Sequence, residues 1–161
     1  MDTRRIMVPL DGTPTAEAAL PVAESLAKRT ETTFVLVRAA EAPDDLVHVI
    51  AARRDAVDAA DRYLETVATA LSARGFKKVK IVPLYGPPAA AILEAARTHE
   101  PDLIVMATSG RSGVRRLMLG SVAETVARGT QTPVFLVRAG DAPGPSAHRR
   151  GAATESERAH V

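Results

Sequence analysis

Cysteine is absent from the chain, which rules out disulfides, thiolate nucleophiles, cysteine-ligated zinc and ordinary iron–sulfur clusters. Tryptophan is absent too, and aromatics make up only 3% of residues, too few to build the stacking platforms on which single-stranded nucleic acid lies. Charge of one sign is also lacking. Twenty-one lysines and arginines face nineteen aspartates and glutamates, and a formal surplus of +2 implies no basic face for nucleic acid. No apolar run approaches the roughly 20 residues of a membrane-spanning helix, and the opening MDTRRIMVPLDG lacks the longer apolar centre of a secretory signal. The expectation is a cytoplasmic protein with neither membrane nor nucleic acid among its partners.

Catalytic and metal-binding patterns are missing as well. His48 and His99 fall at helix ends, His148 and His160 near the C-terminus, and none has the spacing of a metal ligand. No Gly-Lys-Ser/Thr phosphate loop, Gly-x-Gly-x-x-Gly fingerprint, HExxH pair or nucleophile elbow occurs. The chain is therefore expected to have no catalytic residues and no metal site of its own.

What is present is a regular alternation of apolar strands and amphipathic helices, in a length of 161 residues that suits one domain. Arg5–Leu10 reads as a first strand; Asp11 closes a turn, Thr13 caps the next helix and Pro14 takes its first position. That helix runs from Thr15 to about Lys28, with a kink expected at Pro21. A second strand follows over Thr32–Val37, then a loop from Ala39 to Asp45. A long helix begins between Leu46 and Asp55, carries Val57, Ala60, Leu64, Val67 and Leu71 on one stripe, and ends at Gly75. Lys78–Tyr85 alternates as a third strand, and Pro83, unable to donate to a ladder, places it at a sheet edge. A third helix after Pro87 and Pro88 stops before Pro101. Leu103–Ala107 is a strand buried on both faces, Ser121–Arg128 the last helix and Val134–Val137 the last strand. The fold class is α/β, with right-handed crossovers and helices on both faces of a five-stranded parallel sheet. Residues 1–139 form the domain. Residues 140–161, rich in Gly, Pro, Ala, Ser and charge without apolar periodicity, read as a disordered tail.

Chemistry is concentrated between Leu103 and Ser121. A buried strand runs into a loop punctuated by Gly110, and Ser121 with Glu124 spells a capping box at the start of a helix. Strand, small-residue loop and helix N-terminus in that order make an anion site, because unpaired amides and the helix dipole both favour negative charge. Phosphate is the obvious candidate, with Arg111 the preferred neutralising side chain.

Ala107, Gly110 and the pair Gly120–Ser121, separated by two and nine residues, resemble the signature of the nucleotide-binding universal stress proteins, with alanine in place of the first glycine. The resemblance extends from Arg5 to Arg138, through VPLDGT, GPPAAAILEAA, DLIVMATSGRSG, LMLGSVAETV and TPVFLVR. It implies strand order 3-2-1-4-5 in an adenine nucleotide alpha hydrolase-like, Rossmann-like three-layer sandwich, in agreement with an edge at Pro83. In that order the first and fourth strands meet at the topological switch, where open parallel sheets bind ligands. The resemblance also implies a stress-response protein that binds ATP as a regulatory ligand rather than as an enzyme's substrate. Pro9, Asp11, Ala39, Ala107, Gly110, Arg111, Gly120, Ser121 and Val122 would line the site, with Mg²⁺ or Mn²⁺ on the phosphates approached by Asp11. The last strand, Val134, Phe135, Leu136 and Val137, would pair two copies into a homodimer. A nucleotide-independent dimeric module, supported by Ala107, is the alternative. An ATP pyrophosphatase or adenylyl transferase is a third, argued against by PLDGTPT where such enzymes carry a Ser-Gly-Gly loop.

Overall fold

A computed structural model describes residues 4–41, 49–108 and 120–139. Their strands are β1 (Arg5–Pro9), β2 (Thr33–Ala40), β3 (Lys78–Tyr85), β4 (Leu103–Thr108) and β5 (Val134–Arg138). Among the described residues these five form one parallel sheet in the order β3-β2-β1-β4-β5, the expected order. Pro83 sits on outermost β3, opposite Arg38 of β2.

Successive side chains of a strand point to opposite faces, and both faces here are covered. Ile6, Val8, Phe34, Leu36, Val105 and Val137 pack on α2 (Ala19–Leu26) and α3 (Val49–Ala73) through Leu20, Ala23, Leu64, Val67 and Leu71. Met7, Val35, Val37, Ile104 and Met106 pack on α4 (Pro88–His99) and α5 (Ser121–Gly129) through Ile92, Ala95, Ala96, Ala123 and Val126. Double burial is why the central strands read as unbroken apolar runs. Phe34 and Phe76 meet edge to face at 5.1 Å between ring centres.

Several element ends shift by a residue or two from the sequence reading, and three larger differences bear on the site. The helix after β1 is two helices, the single turn α1 (Pro14–Glu17) and then α2, parted at Ala18. Pro21 has no N–H to return to Glu17, four residues back, and its ring crowds that carbonyl, so the break falls a turn before the proline. Strand β2 runs to Ala40, past the expected end at Val37, because its ladder with β3 continues to Ala40 opposite Tyr85. Ala39 thus belongs to a strand and not to a loop. Helix α5 starts without the capping box, as described below. The expected helix start near Leu46, His48 and the tail from 140 to 161 lie outside the described residues. Among those described, no helix is long and apolar enough to cross a membrane.

Candidate functional site

The sheet opens where β1 and β4 part. Their ladder holds only Ile6 opposite Leu103 and Met7 opposite Ile104. Arg5 O accepts from Asp102 N on the β4 side, whereas Leu10 N donates to Val37 O on the β2 side. Backbone groups alternate along a strand, so Pro9 faces β4 with no N–H to give, and the ladder cannot continue. Beyond that point the two strands enclose a cavity of about 260 Å³ at the topological switch.

Seven residues predicted from the sequence line this one cavity: Pro9 and Asp11 after β1, Ala39 on β2, Ala107 on β4, and Gly120, Ser121 and Val122 at the start of α5. Gly110 and Arg111 lie outside the described residues. Val37, Ile92, Met106, Ala107 and Val122 make the wall apolar, and Asp11, Thr15, Thr108 and Ser121 supply polar groups. Thr15, Ala16, Pro88, Ile92 and Thr108 were not singled out in the sequence. Thr108 was within reach, since it follows the first position of the glycine signature at the strand end.

Asp11 has a structural role and also faces the cavity. Its Oδ1 accepts from Thr13 N at 2.8 Å and from Thr13 Oγ1 at 2.6 Å. Thr13 Oγ1 in turn accepts from Ala16 N at 3.2 Å, making Thr13 the N-cap of α1 as expected, with Pro14 at the first helical position. Gly12 between them has φ of 86°, a left-handed conformation that suits glycine.

The start of α5 corrects the sequence reading. Gly120, extended at φ −54° and ψ 147°, holds the N-cap position, so Ser121 is already helical, and among the described residues no side chain caps the helix. The Ser121 hydroxyl is thereby one residue too far along to accept from the amide of Glu124, which instead bonds Gly120 O at 2.9 Å. The Glu124 carboxylate is turned away to Arg128, 3.0 Å off at i+4. Capping does not account for Ser121. Among the described residues the outcome is a helix N-terminus on the cavity wall with no side-chain cap on its amide donors.

A second polar cluster, which the sequence did not suggest, stands behind the Asp11 turn. The Arg38 guanidinium lies over the Tyr63 ring, 4.6 Å from its centre, and Tyr63 donates to Glu17 Oε1 at 2.8 Å. Burial first, then the Glu17 hydrogen bond, raises the Tyr63 pKa above its ordinary value, so the hydroxyl remains a donor. Among the described residues no group of three His, Asp or Glu side chains is arranged to hold a metal ion.

Comparison with known proteins agrees with the fold. The family model described as universal stress protein family matches residues 2–138. A universal stress protein of Thermus aquaticus is 32% identical over 135 residues, 84% of this chain and 98% of that one. Universal stress protein MJ0531 of Methanocaldococcus jannaschii is 44% identical over 61 residues, which is 38% of this chain and only 36% of that protein. Among solved structures, protein MJ0577 of the same organism superposes with a TM-score of 0.72 at 24% identity, over 86% of this chain and 97% of that one. A universal stress protein in complex with cAMP superposes at 0.59 with 24% identity, over 86% and 99% of the two chains. A family protein from Arabidopsis thaliana with AMP bound superposes at 0.60 with 15% identity, over 83% and 90%. At these identities the structural likeness speaks to the fold, and the family rests on the sequence match. With that match running from residue 2 to residue 138, the chain belongs to the universal stress protein family.

Proposed function

We propose that the cavity binds ATP as a regulatory ligand, with occupancy changing the protein's conformation or its affinity for a partner. The observation that carries this reading is the N-terminus of α5, without a side-chain cap among the described residues, on the wall of a mainly apolar cavity. Such a terminus offers several amide donors and a favourable dipole to phosphate, and the apolar wall suits a base. The base would lie against Pro9 and Ala39, the ribose toward Asp11, and the phosphates toward Ala107, Gly110, Arg111, Gly120, Ser121 and Val122. Mg²⁺ or Mn²⁺ would come with the phosphates, because Asp11 is the one carboxylate among the described lining residues and a lone carboxylate makes a poor cation site. The AMP and cAMP complexes of family proteins support an adenine nucleotide. In this reading the protein is a cytoplasmic binding protein and not an enzyme, it works as a homodimer paired through β5, and residues 1–139 are its domain.

Calorimetric titration with ATP and Mg²⁺ tests the site directly. Saturable heat is expected from the native protein and none from Gly120→Arg. Arginine is compatible with the φ of −54° at that position, so the variant folds while its side chain fills the phosphate end. One observation favours a second reading, a dimeric interaction module independent of nucleotide: Ala107 places a methyl group where the family signature has glycine. Absence of heat from the native protein at millimolar ATP would establish that module instead.

A further inference from the structure

We propose that Arg38, held flat by Tyr63, is a positioning residue that sets the Asp11 turn for the ligand; the inference rests on the nucleotide reading above. The turn and α1 form one hydrogen-bonded unit, since Asp11 binds both polar groups of Thr13 and Thr13 caps α1. This unit presents Asp11, Thr15 and Ala16 to the cavity. Its internal bonds fix its shape but not its placement against the sheet. The Leu10 N bond to Val37 O and the packing of Ala16 on the core hold its base, and Arg38 and Tyr63 add two further points that bear on the turn and on the outer side of α1.

The first point is Gly12. A Cβ built there would lie 3.1 Å from both terminal nitrogens of Arg38, so the planar guanidinium rests against bare backbone that any other residue would cover. The second is Glu17 in α1, which accepts from the Tyr63 hydroxyl at 2.8 Å. Tyr63 stands on α3 beside Leu64, and Leu64 is fully buried in the core. The two points are joined where the Arg38 guanidinium carbon lies over the Tyr63 ring, 4.6 Å from its centre. The longest helix of the described residues thus anchors a wall of the cavity through one stacked pair. A wall held in place before the ligand arrives does not have to be ordered on binding, and that preorganisation appears as affinity.

The stack acts on the part of the ligand that meets Asp11 and not on the base. The test is a double-mutant cycle read by calorimetry with two probes, ATP with Mg²⁺ and adenine alone. Arg38→Met is expected to weaken ATP about tenfold and leave adenine unchanged, and to have no further effect in an Asp11→Ala background. Arg38→Lys is expected to stay weak, because an ammonium keeps the charge but has no plane to lie between ring and turn. Tyr63→Phe keeps the ring and is expected to lose about threefold, the smaller part that belongs to the Glu17 bond. Should Arg38→Met fail to fold, Arg38→Lys and Tyr63→Phe carry the same cycle against Asp11→Ala. Additive losses, equal losses for ATP and adenine, or full recovery in Arg38→Lys each overturn the inference and leave the nucleotide reading standing. Failure of the native protein to bind ATP overturns both.

Discussion

Two serine- or threonine-capped helix starts were expected, and they came out differently for a reason visible at single residues. At α1 Gly12 and Thr13 are both acceptable N-caps, but Pro14 favours the first helical position and so selects Thr13 from the local sequence alone. At α5 both Gly120 and Ser121 are acceptable N-caps, and the choice depends on how the chain arrives from β4. That route is set by tertiary structure and is not encoded in four letters. Asp11 was readable as a turn residue for the same local reason as Thr13, whereas Arg38 and Tyr63 meet only because β2 and α3 are neighbours in space. His99 shows a further effect of this kind. It lies at the end of α4 with Lys80 Nζ 3.4 Å from its Nδ1, and Arg5 donates to its carbonyl. Burial, then the charges of Lys80 and Arg5, lower its pKa below the usual histidine value. As pH falls through about 6.5 the unfolded chain takes up this proton first, so His99 removes stability until the folded imidazole also protonates. Above that window its contribution is flat. Urea denaturation midpoints measured across the window should therefore fall less steeply with acid in His99→Gln than in the native protein. An identical slope in the two proteins would show that the three cations do not oppose one another.

At the scale of elements, periodicity was the dependable signal. The alternation of Val79 and Ile81 with Val82 and Leu84 in β3 does divide those side chains between the two sheet faces. The stripe of α3 likewise reached the core for four of its five residues, with Ala60, Leu64 and Leu71 fully buried, Val67 nearly so, and Val57 only half-buried. Helix ends were less dependable, because a break such as the one at Ala18 depends on which carbonyl a proline crowds one turn away. Leu64 gives the clearest test of the α3 interface, as a leucine without exposed surface packed on one face of the sheet. Leu64→Ala should cost about 2–5 kcal/mol by loss of transfer energy and by the cavity it leaves. Chemical denaturation monitored by circular dichroism would measure this. A loss below about 1 kcal/mol would mean that α3 closes over the gap. Because Tyr63 is the adjacent residue, the same variant should also weaken ATP binding if the anchor runs through α3.

For the whole molecule, the order of strands decides which surfaces remain for a partner. Proline at position 83 had already placed β3 at one edge in the sequence, and the exposed Lys78 and Lys80 discourage any further strand there. The opposite edge, β5, has no proline within it and a single exposed charge, Arg138 at its last position. Phe135 leaves 46% of its surface exposed on it, while Val137 is buried, so the four residues expected at a dimer edge do not share one role. The backbone decides which of them would pair. Pro133 O accepts from Ile104 N, and Ala139 N donates to Thr108 O, so the odd-numbered residues of β5 face β4. Alternation turns the backbone groups of Val134, Leu136 and Arg138 outward, where a second copy of β5 can meet them. In the proposed homodimer, Leu136→Pro removes an outward N–H and leaves the β4 ladder intact, a substitution tolerated at an edge. Phe135→Glu leaves every backbone bond in place but sets like charges together across the two-fold axis. Sedimentation velocity should give a dimer for the native protein and a monomer for Leu136→Pro, with Phe135→Glu dissociating more readily at low salt than at high salt. If Leu136→Pro stays dimeric, the copies meet through another surface and the β5 pairing is wrong. If it is a monomer that still binds ATP with native affinity, each chain holds a complete site, and the dimer serves to couple two sites rather than to build one.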